Sequence, residues 1–339
     1  LALRAAIVAL LLVLGFPFLG VKWGFPDDRV LPQSASAHQV GDQLRTEFAD
    51  NTDTNVTVVV PDSAGLSPTD VSSYAAELSR VPDVSAVSAP TGTFVNGAKA
   101  GLPSAPTGEH DGSMFLTVAS SAPLFSDASE AQLDRLHAVT GPGGRDVLMT
   151  GTAQINRDSV DAITSKLPLV LSLIAVIMFI LLFLLTGSVV VPLKALVLNV
   201  LSLTAAFGAL VWIFQDGHLS GLGTTSTGTL VANMPVLLFC IAFGLSMDYE
   251  VFLVARIREF LHAGHTNDES VALGIAHTGR IITAAALIMS ISFAALIAAH
   301  VSFMRMFGLG LTLAVLADAT LVRMVLVPAF MHLMGGVNW

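Results

Sequence analysis

Six long apolar runs constrain this chain more than any other feature. They cover residues 3–21, 167–186, 189–213, 230–254, 281–300 and 306–334. Each approaches or exceeds the roughly 20 residues a helix needs to cross a bilayer. In lipid every backbone N–H and C=O must be satisfied within the protein, and helices do this segment by segment. The predicted fold class is therefore a polytopic α-helical membrane protein with six transmembrane helices. Composition agrees: only 12% of the 339 residues are charged, against about a quarter in soluble domains. That deficit argues against a cytosolic enzyme or a disordered chain and points to the membrane.

The formal charge of −9 is unevenly placed. Residues 21–166 hold 18 acidic and nine basic residues, and the rest of the chain holds seven of each. One segment carries the whole net charge, so two physically different parts share the chain. The single cysteine, Cys240, lies in an apolar run and excludes an intrachain disulfide. No strongly basic region offers a nucleic-acid surface.

Arg4 precedes the first apolar run, and Ala35-Ser36-Ala37 resembles a cleavage site. That site lies too far beyond the run, so the reading is an uncleaved span over 1–21. The opening on Leu1 fits a fragment or one half of something longer. With the N-terminus inside, Arg4, Lys194, Arg256, Arg258 and Arg280 fall at cytoplasmic ends, and only Arg305 falls in a short outer loop. Basic residues in short loops set orientation. Both termini are then cytoplasmic, 22–166 is extracytoplasmic, and 167–339 is a five-helix domain with a cytoplasmic connector at 256–280 at the inner (plasma) membrane.

The outer segment alternates helices and strands. Helical spacing runs over 34–48, a Ser-capped helix over 67–81 and a capped helix over 126–139; strand patterns cover 55–60, 83–89, 113–119 and 145–151. This predicts an α+β sandwich. The Gly- and Pro-rich stretch 97–112 reads as an exposed loop. Neither a metal-ligand spacing nor a nucleophile motif occurs here, so binding or conduction is expected rather than chemistry.

Ionisable groups in hydrocarbon are costly and usually face a protein interior or a water-filled path. Asp248 and Tyr249 lie in the fourth run, Asp318 and Arg323 in the sixth. At 1.5 Å per residue Asp318 sits about 18 Å into its span, near mid-bilayer. Arg323, about 26 Å in, is placed to snorkel to the cytoplasmic interface. Its offset of five residues, about 140° on an α-helix, argues against a same-face pair with Asp318. Gly310, Ala314 and Asp318 form an i, i+4, i+8 stripe, and Gly244 lies one turn before Asp248. Small residues let helices approach closely, so both acids are expected to point into the bundle, either as hydrogen-bonded glue between helices or as a proton site. A carboxyl in a low-dielectric site can load and release protons near neutral pH, and a neighbouring Tyr can relay them. Glu250 reads as a near-interface residue paired with cytoplasmic arginines. Thr283, Ser290 and Ser292 are the hydroxyls open to such a relay, although hydroxyls in membrane helices mostly bond their own backbone. His262 and His265 lack a third ligand and read as a solvated helix face.

The segments GLSMDYEVFLVARIREF (244–260), ITAAALIM (282–289) and LADATLVRMVLVPAFMHLMGG (316–336) resemble the second half of the mycobacterial membrane protein large (MMPL) family. These are actinobacterial members of the resistance–nodulation–division (RND) superfamily. The order of one span, a large outer domain and five spans also fits. The resemblance implies a ferredoxin-like porter type of outer domain and export of lipids or other hydrophobic compounds. It implies the proton gradient as the energy source, with no cofactor, no metal and no enzymatic activity. The family's Asp-Tyr relay falls on Asp248 and Tyr249, its acid–base pair of the last span on Asp318 and Arg323, and its hydroxyl on Thr283. Full members have two such halves facing each other. One half alone is not expected to transport, so the partner is a second six-helix half: upstream in the same chain, a separate chain, or a second copy.

Two other readings remain at this level. One is a non-transporting RND relative, such as a sterol-sensing-like or protein-translocation subunit. The other is an intramembrane aspartyl protease with Asp248 and Asp318 sharing a proton; a GxGD-type motif is lacking.

Overall fold

The computed structural model describes residues 2–48 and 52–339. Leu1, on which the chain opens, and residues 49–51 lie outside the described residues. The chain divides into two compact units, Leu1–Ala35 with Ile163–Trp339, and Ser36–Ala162. The chain enters the first unit through α1 (Ala2–Gly15), continued by a 3₁₀ segment, Phe16–Gly20. The tightening coincides with Pro17, which cannot continue an α-helical hydrogen-bond ladder. A short strand β1 (Trp23–Gly24) follows.

The second unit is a sheet with helices. Its elements are α2 (Ser36–Glu47), β2 (Val56–Val60), α3 (Pro68–Leu78), β3 (Val84–Ala89), β4 (Gly92–Val95), β5 (Ala98–Gly101), β6 (Gly108–His110), β7 (Ser113–Ser120), α4 (Asp127–Ala138) and β8 (Leu148–Thr150). The sheet order is β5-β4-β3-β7-β2-β8, with β6 paired to β7. Without the β4–β6 addition, β2-α3-β3 and β7-α4-β8 form a split βαβ pair with strand order β3-β7-β2-β8, the ferredoxin-like arrangement. Strand alternation builds its core. Val56, Val58 and Val60 are buried and stand opposite Val118, Leu116 and Met114. Val71, Tyr74, Ala75 and Leu78 cover that face at i, i+3, i+4, i+7 spacing. Each such large apolar side chain contributes about 1.5–3 kcal/mol on burial. The stretch 97–112 is exposed as expected, yet it is not all loop: β5 and β6 lie in it. Short edge strands with Gly and Pro carry too little apolar alternation to be seen in sequence.

The first unit resumes within α5 (Thr152–Thr186) and continues with α6 (Val190–Leu210), π-helical to Gln215. Strand β9 (Leu230–Val231) pairs in parallel with β1, so residues 22–35 group with the helices and the α+β unit begins at Ser36 rather than at residue 22. Then come α7 (Asn233–His262), α8 (Asn267–Ala294), α9 (Ser302–Leu316), a π-helical segment (Ala317–Leu326) and α10 (Val327–Met334). Among the described residues five helices are long and apolar enough to cross a membrane, the first apolar run being a shorter helix. The stretch 256–280 is not a separate connector. It comprises the ends of α7 and α8, joined by residues 263–266 and closed by a capping box between Thr266 and Glu269. Helices meet closely at Gly208, where a Cβ would collide with the carbonyl oxygen of Leu14 on α1.

Candidate functional site: a buried charge ladder between helices

The π-helical segment determines the geometry of the site. In a π-helix the hydrogen bonds run from i to i+5, so residues five apart stack; here Val327 N donates to Val322 O. Asp318 and Arg323, expected about 140° apart on an α-helix, are thereby brought to one face. Arg323 Nε donates to Asp318 Oδ2 at 2.8 Å. Arg323 does not snorkel: it is 1% exposed and among the largest fully buried side chains. Ser246 of α7 completes the clasp. Its Oγ donates to Asp318 Oδ1 at 2.8 Å, and Arg323 Nη2 donates to the Ser246 carbonyl and, at 3.0 Å, to its Oγ.

One turn along α7 from Ser246 lies Glu250, also buried. It is not paired with cytoplasmic arginines. Its carboxylate stands 3.8 Å from Arg323 Nη1 and 3.5 Å from Lys194 Nζ of α6. Lys194, expected at a cytoplasmic end, is buried as well. Taking an ion out of water costs several kcal/mol unless a counter-charge compensates, which explains why all four sit together. The order Lys194, Glu250, Arg323, Asp318 alternates in sign and sums to zero. The Tyr249 ring lies 5.4 Å from the Arg323 guanidinium, within cation–π range. Its hydroxyl donates to Met289 Sδ of α8 at 3.3 Å.

Asp248 is elsewhere. At 100° per residue it projects opposite the direction shared by Ser246 and Glu250, and it is exposed. The expectation that both acids point into the bundle therefore holds for Asp318 alone. Asn233, Leu237, Cys240, Gly244, Asp248, Val251 and Ala255 form one exposed stripe along α7. A methyl added at Gly244 would meet nothing within 4 Å, whereas a Cβ on Gly310 would strike Leu238 and approach Leu210. Gly310 and Ala314 are buried between helices. Thr283 is half-buried on α8; among the described residues no hydrogen bond joins it to Asp248, Tyr249, Asp318 or Arg323. Ser292 bonds back to the Ile288 carbonyl, while the buried Ser290 hydroxyl has no hydrogen-bond partner among the described residues.

Sequence reasoning missed Lys194 and Ser246 and misplaced Glu250. The available signal was a lysine inside an apolar run and a serine one turn before a glutamate. Neither names its partner, because the partners lie on other helices.

A cavity of about 650 Å³ lies in the same unit, lined mainly by apolar side chains, among them Phe18, Trp23, Leu171, Leu203, Phe207 and Phe243. Aromatic and branched side chains from α5, α6 and α7 leave it few polar groups.

Membrane-length helices holding a buried, ion-paired ladder, in a chain that also forms a split βαβ unit, define a polytopic membrane protein with charge kept inside its helical bundle. The MMPL family model matches residues 29–339, and the chain belongs to that family. It is 36% identical over its whole length to a putative membrane protein of Streptomyces coelicolor, covering 44% of that protein. Over 63% of the chain it is 41% identical to the trehalose monomycolate exporter MmpL3 of Mycolicibacterium smegmatis, covering 21% of it. Membrane protein YdfJ of Bacillus subtilis is 29% identical over 98% of the chain, again across 44% of its own length. The chain thus spans less than half the length of these relatives.

Proposed function

We propose that the chain is one half of a proton-driven exporter of lipids or other hydrophobic compounds. The observation that carries the reading is Asp318, a carboxyl buried in a membrane-length helix and clasped by Arg323 and Ser246. Such a carboxyl has two states of different charge, and each state asks something different of its arginine. Asp248 and Tyr249 supply the second element of the relay, with Thr283 on the neighbouring helix. The exposed stripe of α7 carries a carboxylate and a glycine on an otherwise largely apolar face, which suits a facing helix of a second half rather than lipid. In this arrangement the first apolar run also crosses the membrane and brings the spans to six, both termini are cytoplasmic, and the unit 36–162 stands outside the inner membrane.

The energetics favour a sheltered route for cargo. Exposing acyl carbons to water costs about 0.8 kcal/mol per CH₂, on the order of 13 kcal/mol for sixteen. A proton crossing 100 mV yields about 2.3 kcal/mol. One or two protons do not lift a lipid into water, so cargo has to pass along apolar surface. The cavity beside Phe207 and Phe243 is apolar enough to receive an acyl chain.

The protease reading requires Asp248 and Asp318 to share a proton, yet Asp248 leaves α7 on the side away from Asp318. A non-transporting subunit would keep the ladder merely as glue. Substitution separates these: Asp248→Asn is expected to abolish export with expression and folding intact, and retained export in cells counts against the relay.

A further inference from the structure

Arg323 stands between two carboxylates, and only one of them holds it. Asp318 takes Nε at 2.8 Å, while Glu250 waits 3.8 Å from Nη1 with Lys194 on its other side at 3.5 Å. Arg323 Nη1, Glu250 Oε1 and Lys194 Nζ have no hydrogen-bond partner among the described residues. The ladder is therefore tight at one end and loose at the other. When a proton neutralises Asp318, the guanidinium loses its closest counter-charge while remaining buried, and the nearest remaining anion is Glu250. We propose that Glu250 is the alternate counter-ion of Arg323, and that Lys194 is a positioning residue that occupies Glu250 and so leaves Arg323 to Asp318 in the resting state. The Arg323 side chain then swings between α7 and its own helix with each protonation, drawing on the Ser246 carbonyl and the Tyr249 ring it already touches. This inference rests on the reading of Asp318 as a proton site. The charged and titratable groups around Arg323 are Asp318 on its own helix, Glu250 and Tyr249 from α7, and Lys194 from α6.

The test is infrared difference spectroscopy of the purified full chain across pH, reading the carbonyl band of a protonated buried carboxyl and assigning it by its loss in Asp318→Asn. Glu250→Gln leaves the guanidinium to Asp318 alone, and Lys194→Met gives Glu250 the stronger claim on it. The two variants therefore move the band's pH dependence in opposite directions, each by roughly one unit or more. Lys194→Arg retains the wild-type curve, and Lys194→Met has no further effect once residue 250 carries the amide of Glu250→Gln. Shifts of the same sign, no shift in Glu250→Gln, or a Lys194→Met effect undiminished in that background would overturn the proposal. Glu250→Gln stands on its own if Lys194→Met does not fold. Absence of any band that Asp318→Asn removes would overturn the proton-site reading itself, which separates the two failures.

Discussion

Asp318 and Arg323 are five residues apart in sequence and hydrogen-bonded at 2.8 Å, because the helix that carries both is π-wound between Ala317 and Leu326. The bond is a local consequence of backbone winding, and Ser246 of the neighbouring helix locks it from outside.

That relationship makes a stability prediction. Arg323→Met leaves Asp318 and Glu250 buried without their shared cation and is expected to cost about 3–5 kcal/mol. Adding Asp318→Leu removes one stranded charge and recovers a large part of the loss. Unfolding in mixed detergent, read as a double-mutant cycle, measures the recovery; additive losses would mean that the pair is not energetically coupled.

The two glycines of the helix packing behave differently. Gly310→Ala drives a methyl into Leu238 and is expected to destabilise by about 1–3 kcal/mol. Gly244→Ala meets nothing within this chain and does not lower its melting temperature, since alanine is the better helix former. A fall in transport with Gly244→Ala at undiminished stability would mark its face as one that a second half covers.

Cys240 lies on the same exposed stripe. A membrane-permeant maleimide is expected to label it readily in the chain purified alone and slowly once a second half covers the stripe, as proposed above. Equal labelling in both states would place the second half elsewhere.

In the α+β unit, Ser67 caps α3 and receives Asp70 in return. Hydrogen bonds from the Ser67 side chain and backbone hold the Asp70 carboxyl below its ordinary value. A lowered carboxyl contributes stability above its unfolded pKa and loses it as pH falls through the folded one. Ser67→Ala should cost about 1 kcal/mol, and amide exchange in residues 68–78, corrected for intrinsic rate, should lose part of its protection between neutral and acid pH in wild type but less so in the variant.

Much of the architecture was legible because it is periodic. Val56, Val58 and Val60 announce a strand by alternation, and Ser67-Pro68-Thr69-Asp70 announces a helix start by capping chemistry. The apolar runs announce membrane helices by length. The site was legible only as a set of residues. Asp318 and Arg323 were visible as costly charges, but a regular 100° step separates them, and nothing local in ADATLVRMVL marks the switch to π winding. Lys194 and Glu250 follow orientation and interface rules when read one helix at a time. Their partnership exists only once α6, α7 and the π segment are packed, since burial forces opposite charges to find each other across helices.

Proton movement through this bundle is proposed to drive lipid export. The most direct measurement follows proton entry and the transfer of a fluorescent acyl-chain lipid together, in proteoliposomes holding the chain with the half it assembles with. Lipid transfer is expected to require the proton gradient, and both signals should vanish in Asp318→Asn and in Asp248→Asn at wild-type protein levels. Lipid transfer that persists in both variants, or that proceeds unchanged with the gradient collapsed, would contradict proton-driven export.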